Sequence, residues 1–146
     1  MRFNQYVLML KVAEKEEYKA AQLLQQQRDN FLSQQQQVES IEQYYEQYKS
    51  ELSESTNANL HLLESRRNYL HQLDYLLKSQ SENLEIIRQQ LEKSKTFWLE
   101  KHRRKQKIQE AASNAERLHR TQLEKKQQQS IDDSYSQRNP ARSPLQ

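Results

Sequence analysis

Apolar residues in the first third of the chain recur with an alternating step of three and four. From Leu10 the step meets Ala13, Glu17, Ala20, Leu24, Gln27, Phe31, Gln34, Val38, Ile41, Tyr45, Tyr48 and Leu52. Ten of these 13 positions are apolar or tyrosine, in a stretch otherwise dominated by Gln, Glu and Lys. Alternating threes and fours make a 3.5-residue repeat, which keeps one stripe of a helix against a partner helix in a left-handed supercoil. A second series runs in its own phase. It comprises Leu63, Arg66, Leu70, Leu73, Leu77, Gln80, Leu84, Ile87, Leu91, Ser94, Trp98, Lys101, Lys105, Ile108, Ala112 and Ala115. That stripe is dense from Leu70 to Leu91 and thins after Trp98.

Between the two series lies Ser53-Glu54-Ser55-Thr56-Asn57-Ala58-Asn59, the one cluster of small polar residues in the body of the chain. Such side chains compete with the helical backbone for hydrogen bonds and favour caps and turns. The pattern therefore predicts an all-α fold, a long antiparallel two-helix coiled coil (a helical hairpin) over residues 1–135. Its helices are predicted over 3–53 and 58–133, with the turn at 53–59 and Ser55, Thr56 or Asn57 as the cap. A turn near residue 56 places Leu10 near His102 and Trp98 near Glu14, and lets the first helix run out opposite about residue 109. The last ~25 residues of the second helix then overhang by some 35–40 Å at 1.5 Å each. The small-residue stretch Ala111-Ala112-Ser113-Asn114-Ala115 falls in that overhang. Residues 136–146, with Pro140 and Pro144, are predicted to be a disordered tail.

Composition narrows the classes. The chain has no glycine, no cysteine and only two prolines, so sheets and loop-rich domains lack their punctuation. At 34% hydrophobic residues a globular core is out of reach, while a coiled coil needs only about two apolar residues in seven. The glutamine runs Gln25–Gln27 and Gln34–Gln37 keep the heptad phase and read as solvated helix face. Without cysteine there is no disulfide framework and no thiolate metal site. The longest apolar run, Tyr6 to Leu10, is far short of the ~20 residues of a membrane span. Only Arg2 precedes that run and no small-residue cleavage site follows, so no signal peptide is expected.

Charge is unevenly placed. Residues 1–100 carry 12 Lys/Arg against 15 Asp/Glu, whereas residues 101–126 carry 9 against 3. The basic stretch Lys101-His102-Arg103-Arg104-Lys105-Gln106-Lys107 points to an acidic partner surface. Part of it is expected to meet Glu14, Glu16 and Glu17 of the first helix. Catalysis finds no footing here. A two-helix coil has no cleft in which to tune a pKa, no glycine loop to cradle a phosphate, and no predicted cofactor. The histidines His61, His71, His102 and His119 have no pair at helical ligand spacing, so no metal site is expected. Asp132-Asp133 reads as a docking or solubility feature.

The tyrosines say more. Tyr45 and Tyr48 belong to the seam, while Tyr44 joins Gln37, Ile41 and Tyr48 in a stripe along one edge of the first helix. Tyrosine at such an edge offers area and a hydroxyl to a partner, or else widens the hairpin's own packing.

At this point the chain resembles the FliJ family of flagellar type III export proteins. The resemblance rests on Ala13-Glu14-Lys15-Glu16, Ala20-Ala21-Gln22-Leu23-Leu24, and Ile41, Tyr44 and Tyr48. It continues through Asn68-Tyr69 with Leu73 and Leu76, the basic stretch near Arg104–Lys107, and Glu124-Lys125-Lys126 through Ile131-Asp132-Asp133. It implies a non-catalytic, cytoplasmic stalk protein, peripheral on the cytoplasmic face of the inner membrane. Such a protein binds a hexameric FliI-like export ATPase and promotes its ring, contacts an FlhA-like export gate protein, and handles export chaperones. By the resemblance Gln37, Ile41, Tyr44, Tyr48 and Leu76 form the gate-binding surface; from its charge, the basic stretch is expected to face the ATPase ring through Arg103, Arg104 and Lys107. One departure stands out: Gln72 occupies a position where the family usually has a large apolar residue. Two alternatives remain open, the equivalent stalk of a virulence secretion system and a generic coiled-coil scaffold or nucleic-acid adaptor.

Overall fold

Long runs of Gln, Glu, Lys, Arg and Leu, unbroken by Gly or Pro, lose little rotamer freedom in a helix and give the backbone no reason to turn. In the computed structural model, which describes residues 3–54 and 59–138, they form two helices, α1 (Phe3–Glu54) and α2 (Leu60–Arg138). Exposed faces are tiled by local pairs such as Asp74–Lys78 at 3.1 Å and Glu92–Lys95 at 3.3 Å. Pairs of this kind add about 0.2–0.5 kcal/mol each to a helix.

The predicted cap residues Ser55, Thr56 and Asn57 lie outside the described residues. The observed N-cap is Asn59, whose Oδ1 accepts the His61 N–H at 3.3 Å and whose carbonyl accepts the Leu63 N–H at 3.0 Å. At the other end α2 runs on to Arg138, five residues past the predicted 133. Ser136 and Gln137, assigned to the tail from sequence, are helical, because nothing before Pro140 interrupts the ladder. The rest of the predicted tail, 139–146, lies outside the described residues.

The chain divides into two units, one of Tyr18–Glu100 and one of Met1–Glu17 with Lys101–Gln146. In each, α1 lies antiparallel to α2. Every position of both heptad series is buried or half-buried, and among the described residues every buried side chain belongs to one of them. Within Tyr18–Glu100 the best-covered apolar residues are Ala20, Leu24, Val38, Leu73, Ile87 and Leu91. Trp98 is half-buried in the seam, as expected. Gln34, a seam position inside a glutamine run otherwise read as solvated face, is buried and donates from Nε2 to Gln80 Oε1 at 2.7 Å.

Within the other unit Ala13, Ile108 and Ala112 are buried. His102 faces Glu17, with Nδ1 3.5 Å from Glu17 Oε2. Side chains lean toward the N-terminus of their own helix, so in an antiparallel pair long residues meet across numbers larger than the backbone register implies. The small-residue stretch also belongs to the packing: Ala112 is buried and Ala111 and Ala115 are half-buried, because small side chains let two helices approach closely. The overhang therefore starts later than predicted. From Arg117 to Gln137 every side chain is exposed.

A candidate partner-binding edge and a basic face

Tyr44 and Tyr48 sit one turn apart on α1, and Tyr69 comes up against them from α2. The Tyr44 and Tyr48 rings stack with centroids 6.5 Å apart. Tyr69 meets Tyr48 edge-on, at 4.9 Å and 69°. Its hydroxyl donates to that of Tyr44 at 3.4 Å. That hydrogen bond, with desolvation and the neighbouring phenols, pushes the Tyr69 hydroxyl above the ordinary tyrosine range. Tyr48 is half-buried in the seam, whereas Tyr44 is 50% and Tyr69 38% exposed. The cluster is thus anchored on one side and open on the other.

The same unit carries a groove of about 590 Å³ lined by Ser33, Gln36, Gln37, Ser40, Ile41, Leu76 and Gln80. Three of the five residues singled out from sequence, Gln37, Ile41 and Leu76, line this groove, while Tyr44 and Tyr48 belong to the aromatic cluster. No lining residue is charged. Groove and cluster offer aliphatic and aromatic area bordered by amides and hydroxyls. Gln72 is exposed on the α2 face it shares with Tyr69 and Leu76, so the apolar row is interrupted there. Tyr69 and Gln80 were not assigned to the site from sequence. Tyr69 had its Asn-Tyr context as a signal, and Gln80 had none.

The basic stretch splits by helical phase. Lys101, His102 and Lys105 turn toward α1: Lys105 Nζ lies 2.6 Å and Lys101 Nζ 3.3 Å from the carboxylates of Glu17 and Glu16 respectively. Arg104 reaches Glu16 at 3.6 Å with its side chain still 58% exposed. Arg103 and Lys107 are exposed. Lys105 first, then His102, holds the Glu17 carboxyl below its usual range against the opposing cost of burial. Glu14, also expected to pair, is exposed. Arg103 and Lys107 thus present positive charge on the exposed side of the stretch, beside an Arg104 that is shared between Glu16 and solvent. Among the described residues no group of His, Asp or Glu is placed to hold a metal ion. Nor is any described helix long and apolar enough to cross a membrane.

A family model described as "Flagellar FliJ protein" matches residues 3–145. The chain belongs to the FliJ family. No curated protein and no solved structure matches it. Membership makes it a flagellar export-related protein.

Proposed function

We propose that this FliJ-family protein is a non-catalytic central-stalk component of the flagellar export apparatus. It acts in the cytoplasm, at the inner face of the membrane. Its basic face, through Arg103, Arg104 and Lys107, engages an acidic surface of the hexameric export ATPase and promotes ring assembly and activity. Its tyrosine edge, through Gln37, Ile41, Tyr44, Tyr48 and Leu76, engages the export gate protein, and export chaperones are further partners. The observation that carries this is the open, uncharged edge of Tyr44 and Tyr69 beside the Ile41–Leu76 groove: aromatic area bordered by amides is what a protein partner covers. The position of Gln72 narrows the edge's apolar row and concentrates the contact on the tyrosines.

The test is the ATPase activity of the purified export ATPase from the same organism, titrated with this protein below one copy per subunit. Stimulation that saturates well under equimolar supports one stalk serving one ring. No stimulation by the folded protein removes the stalk role.

A further inference from the structure

Coiled coils built from repeating aliphatic layers can slide by a heptad with little loss of burial. This one is exposed to that hazard. Leu70, Leu77, Leu84 and Leu91 place the same residue type at four successive heptads of the α2 seam. The sister row reads Leu73, Gln80, Ile87, so Gln80 alone interrupts it. Opposite stands Gln34, buried at 8% exposure. Its amide donates to Gln80 Oε1 at 2.7 Å and to the Gln80 backbone carbonyl at 3.4 Å.

We propose that the Gln34–Gln80 layer is a positioning element that fixes the heptad register and so sets Leu76 beside Gln37 and Ile41. The last step rests on the gate-binding role proposed above for that groove. The physical basis is the asymmetry of buried polar groups, which add little when paired and cost much when stranded. A slide of one heptad in one direction sets Gln34 against Ile87 and Gln80 against Ile41, stranding both amides. A slide in the other direction sets Gln34 against Leu73 and gives Gln80 to Gln27, whose Oε1 is already buried without a partner. The first slide strands both amides, and the second exchanges the Gln34–Gln80 pair for Gln27–Gln80 and leaves Gln34, the more deeply buried of those two glutamines, against Leu73. The same residue carries the consequence outward, since Gln80 is also a wall of the groove with Leu76, Ile41 and Gln37. A buried polar pair of this kind specifies register at some cost in stability.

The chain has no native cysteine, so a clean label pair can be placed at the exposed positions Glu39→Cys and Glu82→Cys. A one-heptad slide displaces these labels by about 10 Å along the axis. Pulsed electron–electron resonance on the full chain is expected to give one distance for the native pair. The variant Gln34→Leu/Gln80→Leu should melt no lower than the parent yet show a second, displaced distance. Gln34→Glu/Gln80→Lys, an opposite-charge pair, should restore the single distance. One unshifted distance in the Leu/Leu variant overturns the proposal, because then the aliphatic layers fix the register alone. Binding to the purified cytoplasmic part of the export gate protein is read on the same variants. Loss of binding in Leu/Leu with recovery in Glu/Lys ties register to the groove. A displaced register with unchanged binding leaves the lock standing and removes the gate-binding role of the groove.

Discussion

Lys105 reaches across from α2 to set its ammonium 2.6 Å from the Glu17 carboxylate of α1, in a position where the acid side chain is only 17% exposed. Both residues occupy heptad positions that an aliphatic side chain would ordinarily fill. The seam thus passes through a charged layer, with His102 and Lys101 on the same side. An ion pair in such a place specifies more than it stabilises, and removing one partner costs more than the pair is worth.

Because the folded-state pKa of Glu17 is depressed, its stabilisation is present above the ordinary carboxyl value of 4.5 and is lost as pH falls below it. Acidification from pH 6 toward 3 should therefore weaken the Met1–Glu17/Lys101–Gln146 unit. The change should be much smaller in Glu17→Gln, which is already neutral. Thermal melts followed by circular dichroism across that range check this, and parallel pH curves for the two proteins would rule Glu17 out.

Charge reversal should separate the two halves of the basic stretch. Arg103→Glu/Arg104→Glu/Lys107→Glu changes side chains that are exposed or mostly so. Its helicity and melting temperature should stay close to the parent, surface substitutions costing about 0.5 kcal/mol or less each. Stimulation of the export ATPase should fall several-fold and the residual effect should depend less on salt. Lys101→Glu/Lys105→Glu instead sets four acids together with Glu16 and Glu17 and should lower the melting temperature. Full stimulation by the first variant would detach the ATPase contact from this face.

Much of this was legible before any coordinates. The 3.5-residue period is geometric, so it named the seam residues without knowing their partners, and each of them is at least half-buried. What stayed hidden was whatever depends on two distant residues meeting. Gln34 reads as part of a glutamine run until Gln80 is seen across from it at 2.7 Å. Tyr69 gains its meaning from Tyr44, a neighbour 25 residues away in sequence. The start of the overhang was misplaced because alanines are compatible with either a free helix or a close helix–helix approach, and composition alone does not choose. Asn59 shares its capping chemistry with Ser55, Thr56 and Asn57, so residue type alone does not single it out as the cap.

The tyrosine edge should behave as a hot spot. Tyr44→Ala with Tyr48→Ala removes the stacked pair, and in interfaces such aromatic anchors cost about 2 kcal/mol or more each. Affinity for the export gate protein should drop ~30-fold or more for each ring removed, by calorimetry. Tyr48 is half-buried, so its loss also lowers stability, and Tyr44→Ala alone serves as the variant that leaves the seam intact. Unchanged affinity in that single variant, with native helicity, would move the gate contact elsewhere.

Leu91 and Leu118 offer a matched pair of leucines on α2. Leu91 is 6% exposed in the seam and Leu118 is 65% exposed on the overhang. Truncation of a buried leucine costs about 2–5 kcal/mol through lost transfer energy and the cavity left behind. Leu91→Ala should lower the melting temperature by many degrees, and Leu118→Ala should leave it nearly unchanged. If a partner packs on the overhang, the ranking reverses in a binding assay, with Leu118→Ala the more damaging of the two.

The overhang itself yields the last prediction. From Arg117 to Gln137 no side chain is covered, and Leu118, Leu123, Ile131 and Tyr135 are all exposed. A helical segment whose side chains are all exposed gains little from tertiary packing, and such helices are marginal in water. Its amides should therefore exchange with solvent far faster than those of Leu73 to Leu91, although both belong to α2. Hydrogen exchange followed by mass spectrometry resolves the two peptides directly. Adding the export ATPase should slow exchange in the 117–138 peptide if that segment is held by the ring. Protection that appears only with a chaperone would assign the overhang to chaperone handling, and protection already present in the isolated protein would mean the segment is covered by a second copy of the chain.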